Sequence, residues 1–113
     1  MDNTKNDEYY LDKIRHCFLR IMEKMDNVSY DAFCKDVDIQ EITMFNLIQI
    51  SENVRNLSDN YKKSHENIPW LEIYGLRNRI VHDYGNVILD IVYETLKNDI
   101  PSLYKTIYWF SSL

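Results

Sequence analysis

Arg77, His82 and Tyr84 form an R-x4-H-x-Y pattern in the stretch Arg77-Asn78-Arg79-Ile80-Val81-His82-Asp83-Tyr84. Arginine is a permanent cation whose planar fork matches phosphate oxygens. Histidine is the side chain that most readily gives or takes a proton near neutral pH. Together the two can do metal-free chemistry on a phosphodiester. No Glu-x-x-His, His-x3-His or paired cysteines supply a metal site. On an ideal helix, five residues turn the chain by about 500°, or about 140° net, with a rise of about 7.5 Å. Arg77 and His82 would then diverge. They converge only if the helix ends or distorts near His82, or if two copies of the segment meet. Gly85, close behind, favours the first. Seven residues return nearly to the starting face, so on a continuing helix Tyr84 shares the face of Arg77.

The elements that must position these residues read as helices. Tyr10, Ile14, Cys17, Phe18, Ile21, Met22 and Met25 recur at three- and four-residue spacing, predicting a helix from about Asp7 to Met25 that stops at Asp26-Asn27. His16 lies beside this stripe and reads as a surface or half-buried structural histidine. Ser29 to Lys35 fits a short helix carrying Phe33. A long helix is expected from Asp38, capped by Asp38 with Glu41 bonding back, to about Tyr61. Leu47, Ile50, Val54, Leu57 and Tyr61 give it one seam, and Ile42, Phe45 and Ile48 a second that runs into Glu52 and Arg55. Two seams need two neighbours, one of which could be a second subunit.

Lys62 to Asn67 reads as a polar loop with solvated lysines. Pro69 fits the first turn of a third helix that turns Ile73, Leu76, Ile80 and Val81 inward. Gly75 in its interior costs roughly 1 kcal/mol relative to alanine, which suggests a close backbone approach, either helix to helix or helix to ligand. Arg79, about 200° around a helix from Arg77, reads as a surface charge or outer nucleic-acid contact. Gly85-Asn86 breaks the pattern. Val87, Ile88, Ile91, Val92, Thr95 and Leu96 predict a fourth helix, and Asp99 could cap a last short one with Pro101 in its start. Leu103, Ile107, Tyr108 and Phe110 should dock it on the bundle or a partner. The expectation is an all-α, up-and-down four-helix bundle with a short C-terminal helix.

The length of 113 residues fits a single domain over 1–113, and two glycines and two prolines leave few turns. The formal charge of −5 excludes nucleic-acid binding by bulk charge, so any such contact must be local. Cys17 and Cys34 read as reduced, mostly buried thiols. The polar start and the lack of a long apolar run argue against a leader or a membrane span and suggest a cytoplasmic protein.

The central stretch also resembles the signature of the HepT-like branch of the HEPN domains, small helical proteins that include toxin ribonucleases. The resemblance extends to Ile68-Pro69-Trp70-Leu71, Gly75-Leu76, Asp99-Ile100-Pro101-Ser102-Leu103, Phe33, Asp36 and Ile50-Ser51-Glu52-Asn53, about the whole chain. It departs at Ser51, where the family has a glycine, and at Asn53, where it has an alanine.

This resemblance implies a metal-independent endoribonuclease with no cofactor, whose cleft forms where two protomers of a homodimer place their motifs side by side. His82 would remove the 2′-hydroxyl proton or protonate the leaving 5′-oxygen. Arg77 would hold the scissile phosphate and neutralise charge in the transition state. Asn78 could orient either, or lie on the surface. Glu52 and Asp36 could orient a catalytic side chain, or pair with Arg55 or Lys35. In such type VII toxin–antitoxin systems an MntA-like nucleotidyltransferase antitoxin attaches AMP to the tyrosine matching Tyr84. The competing readings are a non-catalytic binding partner of a nucleotidyltransferase-like protein, and a structural bundle without a partner.

Overall fold

A computed structural model describes residues 6–80, 82–83 and 86–109. The fold is all-α, apart from one two-residue antiparallel pairing. Helix α1 (Asp7–Met25) starts where the Asn6 side chain accepts from the Tyr9 N–H and ends at Asp26. Asn27 then turns the chain at φ 58°, a left-handed conformation asparagine tolerates better than most residues. Helix α2 (Tyr30–Lys35) is capped by Ser29 and buries Phe33.

Helix α3 (Val37–Arg55) begins earlier than expected. Its cap is Asp36, not Asp38: Asp36 Oδ1 accepts from the Ile39 N–H at 3.0 Å. Asp36 also ends α2, and Gln40 Nε2 reaches back to the Phe33 carbonyl at 2.8 Å. One extended residue thus serves both helices, which leaves Asp38 in the first turn. α3 also ends sooner, at Arg55, and Ser58 caps a separate helix α4 (Asp59–Ser64) that spans the end of the expected helix and the start of the expected loop. The expected seam survives the break, with Leu47, Ile50, Val54 and Leu57 buried and Tyr61 packed against the core.

Helix α5 (Trp70–Tyr74) follows Pro69 and tightens at Gly75 into a 3₁₀ segment, Gly75–Arg79. Ile73 and Leu76 are buried as expected. Among the described residues no other helix closely approaches Gly75: a Cβ there would meet only Asn78 Nδ2, at an ordinary 3.7 Å. Gly75 instead sits at φ −78°, ψ 0°, where the α-helix gives way. The helix stops at Ile80. Strand β1 (His82–Asp83) then pairs antiparallel with β2 (Asn86–Val87), His82 opposite Val87 and Asp83 opposite Asn86.

Helices α6 (Leu89–Glu94) and α7 (Ile100–Tyr104) are joined by a π-helical turn, Thr95–Asp99, and a second such turn, Lys105–Trp109, follows. Asp99 does not cap a new helix. Its backbone is helical and its side chain makes no cap bond. Pro101 has no N–H for the i−4 carbonyl and its ring crowds the preceding turn; widening to a π-turn accommodates it without breaking the helix.

α1 packs along α3 on one side and α7 on another, and α3 in turn carries α5 and the 3₁₀ segment. Ile14, Phe18, Ile21, Leu47, Ile50, Ile73, Leu76, Leu96, Ile100 and Ile107 are fully buried between them. Phe110 lies outside the described residues. Both cysteines are free thiols, Cys17 buried and Cys34 half-buried. No described helix is long and apolar enough to cross a membrane.

Asp7 ties the start of α1 to the start of α4. Its Oδ1 accepts the Ser58 N–H at 2.8 Å and its Oδ2 the Ser58 hydroxyl at 2.7 Å. These bonds hold its carboxyl below the ordinary value of 3.8. A depressed carboxyl stabilises the fold above the unfolded value and loses that contribution as pH falls through the folded one. Thermal melts from pH 7 to pH 2 should therefore show a fall beginning near 4 that is shallower in Asp7→Asn, which starts less stable at neutral pH. Parallel curves for the two proteins would exclude this role.

Candidate active site

The site is built on two consecutive residues of α3. Ser51 is fully buried, and its Oγ accepts the Arg77 backbone N–H at 3.1 Å. Glu52 Oε2 takes the Arg77 guanidinium Nη1 at 3.2 Å, with both side chains a little under half exposed. Arg77 is thus held at its backbone and at its tip by neighbouring side chains, and its charged end stays open to solvent. Glu52 pairs with neither Arg55 nor Lys35; Lys35 pairs with Asp31 at 3.1 Å.

Asp36 lies elsewhere. Sixteen residues of α3 separate it from Glu52, about 24 Å at 1.5 Å per residue, and its carboxylate caps α3. The structure therefore brings Glu52 to Arg77 and leaves Asp36 at the far end of the same helix. Asn78 is exposed, with its amide beside Gly75.

The helix ends before His82, which belongs to β1. The helical obstacle to convergence of Arg77 and His82 is thereby removed within one chain. The same ending removes the geometric ground for aligning Tyr84 with Arg77, since no helix continues to that position. Tyr84 lies outside the described residues, as does Gly85.

Arg79 is a paired surface charge, its side chain nearly as exposed as that of Arg77. It is half-buried, with Nη1 2.9 Å from Asp99 Oδ2 and 3.5 Å from Thr95 Oγ1. It fastens the 3₁₀ segment to the π-turn of the last helix. Asp99 therefore holds an arginine rather than a helix end. The residues that escaped the sequence reading are Ser51 and the Arg79–Asp99 pair. Ser51 did carry a signal, as a hydroxyl where the resembled family has a glycine.

His16 is exposed on α1. With Lys13, Arg20, Phe45, Asn46 and Gln49 it borders an open cavity of about 580 Å³ between α1 and α3. Among the described residues, no three His, Cys, Asp or Glu side chains are grouped to hold a metal ion.

Replacing Ser51 by alanine leaves the Arg77 N–H without this acceptor and should cost about 1 kcal/mol. Urea denaturation of Ser51→Ala beside the wild type reads this loss directly. Equal midpoints and slopes would show that the contact contributes nothing.

The family model Ribonuclease HepT-like matches residues 6–108. The chain is 32% identical over 98 residues to a "Putative RNase" of Caldanaerobacter subterraneus subsp. tengcongensis, covering 87% of this chain and 88% of that protein. It is 31% identical over 94 residues to a "Probable ribonuclease HepT" of Thermococcus cleftensis, covering 83% and 86%. A "Putative RNase" of Methanocaldococcus jannaschii is 26% identical over 87 residues, covering 77% and 72%. No solved structure matches the chain significantly. The chain belongs to the HepT-like ribonuclease family.

Proposed function

We propose that this HepT-like ribonuclease is a metal-independent endoribonuclease and the toxin of a type VII, HepT/MntA-like toxin–antitoxin pair. The observation that carries the reading is Arg77: a surface guanidinium, anchored by Ser51 and Glu52, on a helix that stops just before His82. Anchoring matters because a donor preset for a phosphate need not be reorganised during reaction.

In this reading the 2′-oxygen attacks the adjacent phosphorus and the 5′-oxygen leaves. The products are a 2′,3′-cyclic phosphate and a 5′-hydroxyl. His82 removes the 2′-hydroxyl proton or protonates the leaving oxygen, and Arg77 neutralises the non-bridging oxygens. Glu52 keeps Arg77 in place and must share it with the phosphate when RNA arrives. Asn78 is next to Arg77 and could steady it; Asp36 acts only through the placement of α3. DNA has no 2′-hydroxyl and is not cut.

A homodimer completes the cleft. Phe45 is 59% exposed and Ile48 41%. Seven and four residues before Glu52, they lie on its face of α3. A second copy seated on this apolar stripe would bring its own Arg77 toward the first. An MntA-like nucleotidyltransferase then silences the enzyme by attaching AMP to Tyr84, adding negative charge and a bulky base beside the motif. The second reading, a non-catalytic partner of such a transferase, is favoured by the acidic chain and weakened by the presence of both Arg77 and His82.

Purified protein should cut single-stranded RNA in the presence of EDTA. Arg77→Ala and His82→Ala should each lose at least a hundredfold in rate while keeping the wild-type circular dichroism. Phe45→Glu should sediment as a monomer and be similarly inactive. Tyr84→Phe should stay active and resist co-expressed transferase. Full activity in His82→Ala, or loss of wild-type cleavage on chelation, would refute the mechanism. Absent cleavage with a stable transferase complex would establish the adaptor reading.

A further inference from the structure

Tyr74 is a partly exposed aromatic residue at the end of α5. It is 36% exposed, and among the described residues its ring meets no other aromatic ring and its hydroxyl makes no hydrogen bond. Other aromatic residues of the neighbourhood are committed to the fold. Trp70 Nε1 donates to the His65 carbonyl at 3.1 Å, and its ring packs edge-on to Tyr61, with centroids 5.9 Å apart. Tyr61 in turn stacks on His65 with centroids 4.1 Å apart.

The position of Tyr74 relative to Arg77 follows from the backbone. Tyr74 is the last residue of α5 and directly precedes the 3₁₀ segment Gly75–Arg79. Side chains three residues apart eclipse in a 3₁₀ helix, with a rise of about 2 Å per residue. Tyr74 therefore stands over the same face as Arg77, about 6 Å before it. That is the kind of step that separates a backbone phosphate from the base beside it.

Charge gives such a ring a task. The chain is acidic overall, and Arg77 is already partly neutralised by Glu52. Bulk attraction for a polyanion is therefore weak. Stacking needs no net charge, and every base has a π-face, so an aromatic platform suits an acidic protein that must hold single-stranded RNA.

We infer that Tyr74 is a base-stacking residue that holds one unpaired nucleobase of single-stranded RNA next to the phosphate bound by Arg77. This deepens the ribonuclease reading and rests on it. Such a site favours unpaired over duplex RNA, because a paired base cannot present its face to the ring.

The test uses the full chain and a fluorescent 2′-O-methyl RNA oligonucleotide, which binds but cannot be cut through its 2′-oxygen. Tyr74→Ala should weaken binding about tenfold, in line with about 1–3 kcal/mol per stacked base. Tyr74→Phe and Tyr74→Trp should stay within about twofold of wild type. An abasic residue placed at each position in turn should weaken wild-type binding at one position and add nothing there in Tyr74→Ala. On cleavable RNA the same alanine variant should raise KM far more than it lowers kcat. Unchanged binding in Tyr74→Ala, an equal loss in Tyr74→Phe, or a changed sedimentation coefficient of the alanine variant would overturn the proposal. The last result would assign the ring to contact between copies. Wild type that binds the probe through Tyr74 but cuts no RNA refutes the ribonuclease mechanism and leaves the stacking site standing. Wild type that cuts RNA with no dependence on Tyr74 does the reverse, and a protein that neither binds nor cuts refutes both.

Discussion

The double hold of α3 on Arg77 organises the molecule. A guanidinium on a long flexible stem loses much rotamer freedom when fixed, and that loss opposes any geometry a reaction needs. Here the loss is met in the fold, through the Ser51 hydroxyl on the backbone and the Glu52 carboxylate on the tip. Both contacts depend on the depth of α3. Its seam of Leu47, Ile50 and Val54 is locked between α1 and the α5 segment, so the neighbouring polar residues 51 and 52 have one place to be. The catalytic candidate is thus positioned by the hydrophobic core at one remove.

Much of the framework was legible because periodic apolar residues leave few choices. The α1 stripe predicted the residues that are buried, and Ile73 and Leu76 turned inward as their spacing required. The departures came from local polar competition that periodicity does not encode. Asp36 and Asp38 are both able caps, and what selected Asp36 was the end of α2, two residues earlier than a scan for capping boxes would look. Ser58 broke the long second helix because Asp7, distant in sequence, gave its backbone and hydroxyl a partner. Pro101 was read as a helix start, although a widened turn let one continuous helical run contain it. At the site, Glu52 could be nominated from the sequence, but not its choice of Arg77 over the nearby Arg55. That choice is made by tertiary packing.

Arg79 shows how one local change redirects a side chain. On an α-helix it would lie about 200° from Arg77, and on a 3₁₀ helix about 240°. Either angle sends it away from the open face, and the element waiting there is the last helix, with Asp99 and Thr95. The two arginines of the motif therefore divide their work. Both are partly exposed and ion-paired, Arg77 to Glu52 on α3 and Arg79 to Asp99 on the last helix.

The tightening at Gly75 connects these facts. An unbroken α-helix through Tyr84 would have kept the tyrosine over Arg77 and turned His82 about 140° from it. Ending the helix at Ile80 removes the helical basis for both angles. Tyr74 precedes Arg77 by one 3₁₀ turn, and His82 belongs to the β1–β2 pairing. An R-x4-H spacing diverges on a continuous helix, and here the helix stops between its two members. The same stop explains why glycine at position 75 is followed by only one more turn. The chain needs a short, tight last turn at which Ser51 can reach a backbone N–H, and it needs nothing helical beyond it.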